Sequence, residues 1–137
     1  MSATDVSYAT LEVGDHRSEE FPALTRTMFV RYAGASGDYN PLHTDDKFTK
    51  EIAGYPGVFA HGMLTMGMTG RVLTDWFGAE GLLSYGVRFV KQVFPGDALT
   101  ATATVTSVSD GVAELTVETV NQNGEPVVTG TAKARVG

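Results

Sequence analysis

The spacing of apolar positions changes period once along the chain, near Gly81, and divides the sequence into two unlike halves. Before Gly81 apolar residues recur at helical intervals. Thr25 precedes Met28, Phe29, Tyr32 and Ala33, which predicts a helix capped by Thr25 and stopped near Gly34–Gly37. Ahead of it, residues 1–24 read as a frayed end followed by a short strand, with 1–10 loosely ordered. Residues 37–43, Gly-Asp-Tyr-Asn-Pro-Leu-His, are dense in turn formers. Pro41 fixes its own φ there and pushes Asn40 toward extended backbone. Thr44 is placed to cap a short acidic-fronted helix, 45–53, ended by Gly54. His61 to Phe77 predicts the one long helix. Its apolar residues, Met63 to Phe77, lie almost all around the circumference, the mark of a buried helix. Gly62, Gly67 and Gly70 each cost about 1 kcal/mol relative to alanine in such a helix. The expected return is close approach of another backbone, a sheet wrapped on the helix; the alternative is a weak, frayed helix.

After Gly81 the period is two. Residues 82–94 predict a long strand ending at Pro95-Gly96-Asp97. Residues 98–108 place Leu99, Ala101, Ala103 and Val105 on one face and threonines on the other. Asp110-Gly111 and Asn123-Gly124 are hairpin signals. Between and after them, Ala113, Leu115 and Val117, then Val128, Ala132, Ala134 and Val136, face inward. The class is α+β: a single domain over 1–137, with an antiparallel sheet burying its apolar face on one long helix. One helix cannot cover a whole sheet, so an edge or flank shared with a second copy is expected.

Composition narrows the chemistry. Ten basic against sixteen acidic residues give a net charge of −6, which disfavours a nucleic acid partner or a polybasic membrane surface. There are no cysteines, which removes disulfides, thiolate nucleophiles and zinc–thiolate sites. With no signal-peptide pattern and no apolar run of about 20 residues, the expected location is cytoplasmic, with no membrane partner.

The polar residues that can carry chemistry are Asp38, Asn40, His43 and the His61-Gly62 helix start. A carboxylate and an imidazole five residues apart in a rigid loop can activate water, and histidine exchanges protons near neutrality. Asn40 can brace the loop by side-chain-to-backbone bonds. The same sequence is also compatible with a polar surface turn holding a stray histidine. Gly62 permits close approach to free N–H groups at a helix start, where negative charge on a carbonyl oxygen is stabilised; as an ordinary feature it is a packing glycine. His61 reads equally as a supporting residue or as a partly buried histidine bonded to backbone. His16, His43 and His61 have no i, i+4 pair, so no metal is expected. Neither Ser36 nor Ser84 sits in a nucleophile elbow, and no phosphate loop is present. Phosphates of a thioester carrier would have to find Arg71, Arg88 or Lys91, each otherwise a solvated charge.

Gly37-Asp38-Tyr39-Asn40-Pro41-Leu42-His43, followed by Ala60-His61-Gly62-Met63-Leu64 and later Phe94-Pro95-Gly96-Asp97, resembles the MaoC-like (R)-specific hydratase and (3R)-hydroxyacyl-thioester dehydratase family over roughly residues 11–136. The resemblance implies a hot-dog fold and interconversion of trans-2-enoyl and (3R)-3-hydroxyacyl thioesters. It makes Asp38 and His43 the catalytic pair holding water, Gly62 the oxyanion donor and Asn40 the loop brace. A serine found in some bacterial members falls near Gly70, so no hydrogen bond is carried over there. No cofactor is implied, because CoA or phosphopantetheine enters as part of the substrate. A homodimer, or a heterodimer with another hot-dog subunit, is expected. The glycine- and methionine-rich helix face is the expected substrate wall. Rival readings are a catalytic subunit of a heteromeric hydratase for long-chain or steroid acyl groups, a hot-dog acyl-CoA thioesterase, a non-catalytic tunnel-forming subunit and an acyl-CoA-binding module.

Overall fold

The computed structural model describes residues 11–136; the expectation for 1–10 lies outside them. The alternating half becomes three long strands joined in succession: β3 (Thr100–Ser109), β4 (Val112–Val120) and β5 (Pro126–Arg135). The first hairpin turns at Asp110 and Gly111, with φ of 52° and 75°, the left-handed pair that a two-residue hairpin requires. β1 (His16–Glu20) adds beside β3 and β2 (Leu82–Phe89) beside β5. The five-stranded sheet thus runs β1-β3-β4-β5-β2, antiparallel throughout.

Two helices complete the fold. Helix α1 (Arg26–Ser36) starts where the Thr25 hydroxyl accepts from the Met28 N–H and ends at Gly37, φ 78°. Helix α2 (Gly62–Phe77) touches all five strands. Its Val72, Leu73, Trp76 and Phe77 pack on an inward sheet face dominated by Ala101, Ala103, Ala113, Leu115, Ala132 and Ala134. So many alanines keep that face shallow, and the helix settles close to the strands. A second apolar cluster, with Leu24, Phe29, Val58 and Leu99, packs α1 and the 58–60 segment together with Val127 and Val128 of β5. This is the hot-dog arrangement.

Several expectations are corrected. The strand from Leu82 ends at Phe89, not at 94: the Val90 N–H still reaches the Val127 carbonyl, and the chain then leaves the sheet for a turn closed by the Asp97 carboxylate on the Phe94 N–H. The cap of the short acidic helix is Asp45, whose Oδ1 accepts from the Phe48 N–H, not Thr44. Residues Phe48–Ile52 there wind as a π-helical turn. Helix α2 is not buried all round, because Met63, Gly67 and Arg71, spaced by four, form an exposed stripe. Its glycines do not meet backbone. A Cβ at Gly62 would lie 3.1 Å from the Phe89 ring and one at Gly70 3.0 Å from the Tyr85 ring, while one at Gly67 would meet nothing within 4 Å. Close backbone approach occurs instead at Gly130 of β5, where a Cβ would run into the Gly86 carbonyl of β2.

Candidate active site

The site is assembled where the loop after α1 meets the start of α2. In that loop Asp38 Oδ1 accepts from the Asn40 N–H at 3.2 Å, and Asn40 Oδ1 accepts from the Leu42 N–H at 3.0 Å. Asn40 so caps a single 3-10 turn, Pro41–His43, with Pro41 at its first position. These short-range bonds aim His43 inward, where it is buried, while Asp38 stays exposed above it.

His43 is held by its ring. Its Nδ1 lies 2.7 Å from the Phe59 carbonyl oxygen. A carbonyl only accepts, so Nδ1 carries the proton and Nε2 presents a lone pair in the neutral ring. That Nε2 lies 3.9 Å from Asp38 Oδ2, too far for a direct hydrogen bond and suited to sharing one water between them. Burial pushes the His43 pKa below its ordinary 6.5; the Phe59 carbonyl opposes this, neighbouring His61 adds to it and Asp38 opposes it. The imidazole is therefore a neutral base at pH 7.

His61 closes the arrangement. It is 1 % exposed and immediately precedes α2. Its Nε2–H donates to the main-chain oxygen of Asp38 at 3.0 Å. Its ring stacks on His43, centroids 3.9 Å apart, and meets Tyr32 of α1 at 4.8 Å. Its Nδ1 is the one buried side-chain nitrogen or oxygen without a hydrogen-bond partner among the described residues; such atoms concentrate at functional sites.

One ligand atom each from Asp38, His43 and His61 lies within 4.8 Å of the others. As a metal set they fit poorly. The two rings are stacked 27° from parallel, so in-plane lone pairs run side by side rather than converging on an ion.

Gly62 begins α2, so its N–H has no partner within the helix. It lines a cleft of about 290 Å³ with Phe59, Thr65, Phe89 and Lys91. The three cations proposed from sequence are not brought together. Lys91 lines this cleft and pairs with Glu125 at 2.9 Å. Arg71 faces a different groove and pairs with Glu19 and Asp75. Arg88 is exposed on β2, next to Phe89.

Sequence reasoning missed Asp46. Its Oδ1 accepts from the Val58 N–H at 3.1 Å and its Oδ2 pairs with Arg26 at 2.7 Å. The Val58 N–H, with help from Arg26, holds its carboxyl below the usual range. Val58 adjoins Phe59, so this carboxylate steadies the carbonyl that orients His43. Tyr32 and Phe89 were also missed as site neighbours. Only the apolar patterning of their elements hinted at burial, and nothing in it pointed to the site.

An α+β hot-dog domain defines a class, and the comparisons agree with that fold. The family described as MaoC like domain matches residues 11–125, and the chain belongs to that family. It is 32 % identical to the (R)-specific enoyl-CoA hydratase of Aeromonas caviae, over 96 % of this chain and 99 % of that protein. A solved (R)-hydratase from A. caviae superposes with a TM-score of 0.83 at 29 % identity, covering 93 % of this chain and 98 % of that one. The ChsH1-ChsH2 complex from Mycobacterium tuberculosis is similar at 25 % identity and a TM-score of 0.82, over 93 % of this chain and 100 % of that one. The match to 3-hydroxyacyl-thioester dehydratase Y of M. tuberculosis is 45 % identical over 67 residues, which is 47 % of this chain and 23 % of that protein. Several of the curated relatives are thus far longer than the part this chain spans. Among the described residues no helix is long and apolar enough to cross a membrane.

Proposed function

We propose that the chain is an (R)-specific hydratase/dehydratase interconverting trans-2-enoyl and (3R)-3-hydroxyacyl thioesters of CoA or an acyl carrier protein. The observation that carries this reading is the 3.9 Å separation of His43 Nε2 and Asp38 Oδ2, with the other ring nitrogen of His43 tied to the Phe59 carbonyl. In the hydration direction the thioester carbonyl lies against the Gly62 N–H. Water shared by Asp38 and His43 adds at C3, its proton is taken up by the pair, and a proton is delivered to C2. The enolate-like oxygen formed on the way is stabilised by the helix start, and one such donor is worth about 10²–10³ in rate. Asn40 braces the loop, and His61 supports both members of the pair.

The partner in this reading is a second hot-dog subunit, a copy of this chain or a relative. The outer edge of β2 supports it, with Leu83, Phe89 and Val90 exposed along and just beyond that strand. Lys91, which lines the cleft, and Arg88, exposed on β2 next to Phe89, are candidates for the carrier's phosphates.

The test is loss of the conjugated enoyl absorbance of crotonyl-CoA on mixing with the purified chain, with product chirality read by an (R)-specific dehydrogenase. An (R) product whose formation His43→Ala abolishes is the expected result. Release of free thiol without loss of the double bond would instead identify a thioesterase.

A further inference from the structure

The turn Phe94-Pro95-Gly96-Asp97 lies outside the candidate site, yet it is tied down at every corner. The Gly96 N–H donates to the Leu24 carbonyl at 2.7 Å, and the Leu24 N–H returns a bond to the Asp97 carbonyl at 2.9 Å. Both oxygens of the Asp97 carboxylate are used. Oδ2 accepts from the Phe94 N–H at 2.9 Å, and Oδ1 accepts from the Gln122 side-chain amide at 3.0 Å. Gln122, in the turn between β4 and β5, in turn accepts from the Ala98 N–H at 3.1 Å.

The bond to Phe94 leads inward. The Phe94 N–H and the Val93 carbonyl belong to one peptide unit, and that carbonyl accepts from the Ala60 N–H at 2.8 Å. The Ala60 N–H and the Phe59 carbonyl belong to a second unit, and the Phe59 carbonyl accepts from the His43 Nδ1–H at 2.7 Å. Asp97 is thus joined to the His43 ring by three hydrogen bonds in series, all running in one direction. Val93 and Ala60 are 3 % and 6 % exposed, so water does not compete along the way. Hydrogen bonds in series polarise one another, and an anion at the accepting end makes each carbonyl behind it a stronger acceptor.

Asp46 provides a contrast. It bonds the Val58 N–H, whose peptide unit ends at the Gly57 carbonyl, outside the series. It steadies the same segment without lying in line with the ring. The other ionisable groups bearing on His43 are His61 and Asp38. His61 stacks on the face of the ring, and Asp38 faces the opposite nitrogen.

We propose that Asp97 is a positioning residue for His43, acting through these two peptide units. Its charge strengthens the Phe59 carbonyl, which keeps the ring proton on Nδ1 and leaves Nε2 free to take a proton from water. The step at water rests on the hydratase reading above; the hold on the ring rests on the hydrogen-bond series alone.

The test follows the His43 ring by long-range 1H–15N spectra of the labelled protein from about pH 8 to 5, without substrate. Crotonyl-CoA hydration is measured on the same samples. Asp97→Asn keeps an oxygen for the Phe94 N–H and removes the charge. The exchange variant Asp97→Asn/Gln122→Glu keeps the net charge and the bond between the two side chains, and moves the charge out of line. In both, His43 should protonate at lower pH than in wild type, and the Nε2–H tautomer should appear beside the Nδ1–H form. kcat should fall about tenfold with KM unchanged, part of the 10²–10⁴ that a positioned acid or base contributes. Where Asp97→Asn alone does not fold, the exchange variant carries the same expectation. A wild-type ring titration and tautomer in Asp97→Asn overturns the proposal. So does an exchange variant that titrates like wild type, because Asp97 then only closes its turn. If the wild type hydrates no enoyl thioester, the hydratase reading fails, and the ring spectra alone decide the link from Asp97 to His43.

Discussion

His61 donates its Nε2–H to the main-chain oxygen of Asp38, 3.0 Å away, while its ring lies against His43 with centroids 3.9 Å apart. The residue that opens the central helix thus touches both members of the Asp/His pair. It fixes the main chain of one and the ring plane of the other, tying the loop to the helix start that lines the cleft.

Removing either member of the pair should abolish turnover without unfolding the chain. His43→Ala and Asp38→Ala should each lower kcat for enoyl-CoA hydration by at least about 10²-fold, the lower range for a positioned acid or base. Asp38 is exposed and among the described residues its carboxylate accepts a hydrogen bond from the nearby Asn40 N–H alone, so its substitution should leave the melting temperature nearly unchanged. Near-wild-type turnover in either variant would remove the pair from the mechanism.

His61→Phe keeps a ring in the stack and removes the donor to Asp38. It should lower kcat by up to about 10²-fold through misplacement of the pair, with KM little changed. A matching rise in KM, or a large loss of thermal stability, would make His61 a packing residue rather than a positioning one.

Burial lowers the His43 pKa, so the acid limb of kcat/KM should fall below the ordinary histidine value of about 6.5. The stability sign follows from linkage. The unfolded chain takes up its proton first as pH falls, so the contribution of His43 is complete above about 6.5 and is lost as pH drops through the lower folded value. Denaturant midpoints measured from pH 7.5 to 4.5 in wild type and His43→Gln should diverge at the high end and converge at the low end.

Glycine substitutions separate three kinds of space. Gly130→Ala forces a methyl into the Gly86 carbonyl and should destabilise by about 1–3 kcal/mol or more. Gly67→Ala, with open space and helical backbone, should stabilise by about 1 kcal/mol. Gly70→Ala should do worse than Gly67→Ala, because the Tyr85 ring beside it is anchored by its hydroxyl donating to the Met66 carbonyl at 2.7 Å. Urea unfolding of the three variants ranks them.

Tyr85→Phe should cost about 0.5–1.5 kcal/mol, the worth of that one hydrogen bond. Burial also raises the Tyr85 pKa to about 12. Its stabilising contribution is therefore complete below about pH 10 and is lost as pH rises toward 12. Base titration of wild type against Tyr85→Phe checks the difference.

What the sequence revealed follows from the range of the interactions involved. The hairpin at Asp110-Gly111, the inward Ala101, Ala103 and Val105, and the Thr25 cap are set by neighbours within a few residues, and local pattern reads them. The Asn40 cap of the Pro41–His43 turn is legible for the same reason. The Phe59 carbonyl on His43 and the Asp46 carboxylate on the Val58 N–H join residues 16 and 12 positions apart through an irregular segment without periodicity. The exposed stripe on α2 was misread because methionine counts as apolar wherever it sits, and only the groove beside α1 distinguishes Met63 from Leu73. The end of β2 at Phe89 depends on the end of its partner strand, to which hydropathy is blind.

The outer side of β2 has consequences for how the chain behaves in bulk. Among the described residues no strand borders it, and an open edge with apolar residues beside it is a template for whichever strand arrives first. At nanomolar dilution its stability should be that of a lone sheet. Where the proposed partner is a second copy of this chain, mass action should lift the melting temperature as concentration rises, because that copy binds only the folded form. Thermal midpoints measured across a concentration series therefore read whether the edge is covered by a second copy.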